Sequence, residues 1–87
     1  MGSNMAIILL KVAVARELYE RNGEMTKGEF DNIVNRMMNE LRSRGFDISN
    51  NDVIHILDIV DLRGHSVVLS QDGVKYLEMF KIAKPSK

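Results

Sequence analysis

Few side chains in this chain have the chemistry for catalysis. There are two histidines and no cysteine, which removes thiolate nucleophiles, disulfide frameworks and Cys-type zinc sites together. Asp52, His55 and Asp58 recur at i, i+3 and i+6, a spacing that invites a metal reading. On an α-helix turning about 100° per residue the outer two diverge by about 240°, so the three do not face one ion. No Ser-His-Asp arrangement has a local signature, and Gly23 to Gly28 lacks the G-K-[ST] ending of a phosphate loop. Glu24 and Glu29 flank a helix start, where a cap and the helix dipole account for them. The six methionines, Met37 and Met38 adjacent, read as core filler. The expectation is therefore a chain that is not an enzyme, with no cofactor, no metal and no small-molecule ligand.

A binding role is what remains, and composition bounds it. The 87 residues are 45% hydrophobic, against disorder, and 12 basic and 12 acidic side chains cancel to zero net charge. That length suits one domain with a small core, too thin to frame a deep cleft easily. The cancellation is uneven along the chain. Asp47, Asp52, Asp58 and Asp61 against Arg63 leave residues 45–63 at −3, while residues 36–44 carry +2 and residues 73–87 carry +3. Any nucleic-acid binding must come from charge gathered on one face.

The elements that must position these groups follow from periodicity and caps. Met1 to Asn4, ahead of Met5, read as an expression remnant, leaving a single domain over residues 5–87. Met5 to Ala15 is the most apolar stretch, and Ala13-Val14-Ala15 has the small-x-small pattern of a signal cleavage site. Yet Lys11 interrupts the run, no basic residue precedes it, and a membrane span needs about 20 apolar residues. A helix over residues 5–22 is expected instead, stopping at Asn22-Gly23. Being apolar nearly all round, it offers Ile7, Ile8, Leu10, Val12 and Val14 to a second chain, hence a homodimer. No membrane partner is expected, and the missing cysteines fit a cytoplasmic location.

Thr26-Lys27-Gly28-Glu29 has the form of a capping box. A second helix then runs from Lys27 to about Arg44, with Phe30, Ile33, Val34, Met37, Met38 and Leu41 on one stripe. Ser49 to Asp52 caps a third helix from about residue 50, with Val53, Ile56, Leu57 and Val60 at helical spacing. Residues 59–69 read as a small β-hairpin turning at Arg63-Gly64, and Ser70 to Gly73 caps a last helix, Val74 to about Ala83, closed by Pro85. Val74, Leu77 and Phe80 are expected to face inward.

Helix, Gly turn, capped helix, capped helix, hairpin and final helix is the element order of winged helix-turn-helix domains, and the chain resembles that family over residues 5–83. Leu69-Ser70-Gln71-Asp72-Gly73-Val74-Lys75-Tyr76-Leu77 is similar to the L-T-x-x-G-x-x-Y-L segment that leaves the wing in many regulators, and Gly23 to Thr26 is similar to the short strand before their second helix. The second helix is longer than the family usually shows, and 45–49 is a long turn before a recognition helix. The resemblance implies an α+β, mainly helical fold: a three-helix core, a hairpin wing and a C-terminal helix.

It also implies double-stranded DNA as partner and a role in transcription regulation, with the third helix in the major groove. Asn50, Asn51 and His55 would then read bases, and Arg63 and His65 at the wing tip would touch phosphates. The acidic sign of residues 45–63 opposes this, because phosphate neutralisation supplies most non-specific affinity. The alternative is a winged-helix-like module that binds a protein. Asn32, Asn35, Arg36, Asn39 and Arg42 form a rival polar face on the second helix, and Lys75, Lys81, Lys84 and Lys87 a basic C-terminal end.

Overall fold

In a computed structural model, residues 2–80 are described. The order is α1 (Gly2–Glu20), β1 (Glu24–Thr26), α2 (Lys27–Ser43), a 3-10 helix (Asn50–Ile59), β2 (Val60–Arg63), β3 (Ser66–Leu69) and α3 (Gln71–Met79). The fold is α+β and mostly helical, with one antiparallel sheet in the order β1-β3-β2. No described helix is long and apolar enough to cross a membrane.

Both long helices end in Schellman turns, in which left-handed residues let the last carbonyls find partners. At the end of α1, Gly23 N–H donates to the Leu18 carbonyl (2.7 Å) and Asn22 N–H to Tyr19 (3.2 Å), with φ of 64° at Asn22 and 84° at Gly23. At the end of α2, Phe46 N–H donates to Leu41 (3.0 Å) and Gly45 N–H to Arg42 (3.0 Å). The turn places Phe46 against the core and lets Ile48 bury. Arg42 fixes this long connection by donating from Nε to the Ile48 carbonyl at 2.8 Å.

The capping box opens α2. Glu29 N–H donates to Thr26 Oγ1 at 3.1 Å, and Thr26 N–H donates to Glu29 Oε1 at 3.0 Å. The bond from the Thr26 backbone, helped by the Thr26 hydroxyl and by Arg21, holds the Glu29 carboxyl below its ordinary value of 4.5. A lowered native value means that this contribution is whole above pH 4.5 and fades as pH falls through the native value. Replacing Glu29 with Gln should flatten the acid limb of a urea-midpoint profile and leave its neutral part nearly parallel to wild type; an unchanged acid limb would refute the assignment. Thr26→Ala should cost about 1 kcal/mol in the same assay.

α1 is the centre of the molecule, contacting α2, α3, the 3-10 helix and the sheet. Ala6, Leu10, Val14 and Leu18 form its inward stripe, each wholly buried. This corrects the expectation that Leu10 and Val14 face a second chain, since both already lie within this chain's own core. Ile7 also packs on that core. Exposed Ile8 and half-buried Val12 remain outward, joined by Met5 and Leu9, which the sequence reading had not assigned to that face.

The third helix is 3-10 rather than α, and that resets which residues point inward. With three residues per turn, positions i and i+3 eclipse. Val53, Ile56 and Ile59 therefore line up against the core, Val53 half-buried and the other two fully so, while Leu57 swings outward to 46% exposure. β-branched Val53, Ile54, Ile56 and Ile59 lose side-chain freedom in an α-helix, which weakens the competing form.

The last helix starts three residues before Val74. Val74 and Phe80, expected inside, are exposed, and Leu77 is the buried anchor. Ser70 caps it, accepting from Gly73 N–H at 3.0 Å and donating to the Asp58 carbonyl at 2.8 Å. Half-buried Tyr76 lies under the Lys11 ammonium, 5.2 Å from its ring centre. Burial pushes the Tyr76 phenol above its ordinary value, against the pull of Lys11. The expected end at Ala83 and Pro85 lies outside the described residues.

Candidate nucleic-acid interface

The five residues expected to meet DNA are all exposed, and they fall into two groups. Asn50, Asn51 and His55 belong to the 3-10 helix. Arg63 precedes the hairpin turn and His65 is the second of its two central residues, after Gly64 with a φ of 62°. The His65 carbonyl accepts from Lys27 N–H at 3.1 Å, which ties the turn to the start of α2. Among the described residues no hydrogen bond or ion pair joins the two groups.

Within the first group the side chains are not equivalent. Asn50 lies toward α2, its Oδ1 3.4 Å from an Arg42 guanidinium nitrogen. Asn51 shares its line on the 3-10 helix with Ile54 and Leu57, both exposed, so an amide sits at the head of an apolar strip. His55 shares the next line with Asp52 and Asp58. The wide divergence expected of these three on an α-helix does not hold here, because the 3-10 repeat aligns them.

They still do not converge on an ion, because the two carboxylates have other partners. Asp52 accepts from Ser49 N–H at 2.9 Å and closes the helix start. Asp58 pairs with Lys11 of α1 at 3.0 Å, where the lysine side chain is only 17% exposed. Among the described residues no group of three His, Asp or Glu side chains could hold a metal. The acidic charge of residues 45–63 is thus partly paired, and within that segment Asp47 and Asp61 are the exposed carboxylates with no ion pair among the described residues.

The rival face of α2 is partly used up. Arg36 reaches Glu17 of α1 at 3.8 Å, and Arg42 Nη1 donates to Asn39 Oδ1 at 3.0 Å while its Nε donates to the Ile48 carbonyl. Asn32 and Asn35 are exposed. Lys75 is exposed on α3; Lys81, Lys84 and Lys87 lie outside the described residues.

Sequence reasoning missed the exposed apolar side chains beside the candidate residues. Ile54 is 68% exposed and Leu62 66% exposed. Leu62 pairs with Val67 across the sheet, on the face that buries Val67 and Val60, but it stands beyond the helices that cover them. Alternation along β2 could have given its face, yet not the fact that the helices stop short of it. The chain matches no known family, no characterised protein and no solved structure.

Proposed function

We propose that this chain is a winged-helix domain that binds double-stranded DNA as an intracellular transcription regulator, the 3-10 helix entering the major groove and the β2-β3 hairpin serving as the wing. The observation that carries the reading is the topology. A strand before the second helix and a hairpin after the third pair in the order β1-β3-β2, and a wing is built that way. Supporting it, Asn51, His55, Arg63 and His65 are all exposed, while Asp52 and Asp58 are held by Ser49 and Lys11. Asn amides pair with adenine, and Ile54 and Leu57 beside Asn51 have the apolar character that meets thymine methyl groups.

An anisotropy titration with random duplex at two ionic strengths tests the reading. Binding should appear at low salt and weaken as salt rises, and Arg63→Ala should lower the salt slope by about one. Asn51→Ala and His55→Ala should weaken binding to a selected site more than binding to random duplex. No binding at low salt up to roughly tens of micromolar would overturn the proposal.

The second reading, a protein-binding module, is favoured by one observation: Ile54, Leu57 and Leu62 are exposed on an acidic segment. It predicts silence in the titration at every salt concentration.

A further inference from the structure

We infer that the outer edge of β2 pairs with the same strand of a second copy of this chain, antiparallel about a two-fold axis through Leu62. The inference goes beyond the DNA reading and does not rest on it. In the sheet order β1-β3-β2 the middle strand is β3, so β1 and β2 each have one edge without a neighbouring strand. An open edge is a row of backbone donors and acceptors ready for another strand. The β1 edge is closed locally: Thr26 N–H already donates to Glu29 Oε1 at 3.0 Å, and the chain turns there into α2. Among the described residues no strand lies beyond β2, and Asp61, Leu62 and Arg63 are all exposed.

The phase of the hydrogen bonds says which backbone groups point outward. Ser70 N–H donates to the Ile59 carbonyl at 2.9 Å, so residues 59, 61 and 63 bond toward β3 in the antiparallel ladder. On the other side of β3, Leu69 N–H donates to the Gly23 carbonyl at 2.8 Å and the His65 carbonyl accepts from Lys27 N–H at 3.1 Å, as that phase requires. Val60 and Leu62 therefore turn their backbone groups to the open edge. The Val60 N–H is taken by the Leu57 carbonyl. Leu62 keeps both its N–H and its carbonyl for a partner, and its side chain, 66% exposed, stands beyond the helices that cover Val60 and Val67.

Charge then selects the occupant and the register. Asp61 and Arg63 stand on one face of β2 and Leu62 on the other, and neither charge has an ion pair among the described residues. Two copies can pair with the axis at Asp61, at Leu62 or at Arg63. The first sets two aspartates directly opposite each other and the last two arginines, and like charges so placed destabilise a strand pair. With the axis at Leu62, the two Leu62 residues exchange N–H to carbonyl bonds. Each Asp61 then faces an Arg63 of the other copy at a non-hydrogen-bonded position, where side chains lie closest. Leu62 meets Leu62 on the opposite face. The edge is thus complementary to itself in one register, and the pairing continues the three-stranded sheet across an isologous interface.

Light scattering of the full chain at high micromolar concentration tests this. Wild type should give twice the 9.9 kDa of one chain. Asp61→Lys and Arg63→Glu should each give the mass of one chain, because each opposes like charges across the axis. Mixed together they should recover the doubled mass, since the new lysine of one faces the new glutamate of the other and the native Asp61 and Arg63 still meet. A wild type at one chain's mass overturns the proposal and leaves the edge to a strand of another protein. A doubled mass in either variant alone, or a mixture that stays at one chain's mass, overturns it too. Amide exchange needs no variant: at the concentration that doubles the mass, Leu62 N–H should be protected, and rapid exchange there overturns the proposal. None of these readouts contains DNA, so failure here and failure of the DNA titration are distinguishable.

Discussion

Gly73→Ala should lower stability by about 2–3 kcal/mol, which for a domain of this size is roughly 10–20 °C in Tm. Gly73 sits in the first turn of α3, where Ala would normally be the better residue by about 1 kcal/mol. Here the added methyl would run into the Ile59 carbonyl oxygen and lie 2.6 Å from Leu69 Cδ1. The leucine tip can move, but the carbonyl cannot. Its oxygen accepts from Ser70 N–H at 2.9 Å, and the neighbouring Asp58 carbonyl accepts from the Ser70 hydroxyl at 2.8 Å. Steric conflict with pinned backbone should therefore outweigh the gain in helix propensity. Thermal melts followed by circular dichroism decide it: an unchanged or raised Tm would mean that α3 does not approach the end of the 3-10 helix this closely.

Ile59→Ala and Leu57→Ala should part widely. Ile59 is 1% exposed and sits on the inward line of the 3-10 helix, so its truncation should cost about 2–5 kcal/mol through lost transfer energy and a cavity. Leu57 stands largely in solvent, and its truncation should cost well under about 1 kcal/mol. In urea the Ile59 variant's midpoint should fall with little change in slope, while the Leu57 midpoint stays near wild type. An α-helix over this segment gives the opposite expectation, because positions 53, 56, 57 and 60 then share the inward face. If the Leu57 variant is the more damaged of the two, the 3-10 register is wrong, and with it the alignment of Asn51 with Ile54 and Leu57.

Gly73 is one of several residues between Leu69 and Leu77 whose contacts join the hairpin to the last helix. Ser70 caps α3 and holds the Asp58 carbonyl, Gly73 permits the close approach, Tyr76 receives the Lys11 ammonium and Leu77 is fully buried. These are the contacts by which the hairpin hands the chain to the last helix. The contacts with Asp58, Ile59 and Lys11 reach the 3-10 helix and α1, whereas the Ser70–Gly73 cap is local in sequence, which is why the cap could be read from the sequence alone.

Much of the rest was legible for the same reason. Helix starts and stops rest on bonds within a few residues, so the Thr26-Glu29 box and the turns at Asn22-Gly23 and Gly45 announced themselves. The stripe on α2 was legible because one face of that helix is buried and the other is wet. α1 was not, since a helix apolar all round carries no periodic signal to say which side its own chain will cover. Leu10 and Val14 were therefore assigned to a partner surface when they belong to the core, and Met5 and Leu9 were overlooked.

By itself, then, the sequence determined the order and type of most elements, the caps that separate them, the hairpin and the absence of cysteine chemistry. Tertiary structure decided what those elements show to the outside. The 3-10 winding of residues 50–59 turned Leu57 outward and aligned His55 with two aspartates, and contacts across the fold gave Asp58 to Lys11 and Arg42 to Ile48. The physical reason is range. Caps and turns are settled by neighbours along the chain, whereas exposure and the pairing of charges depend on which distant element arrives alongside.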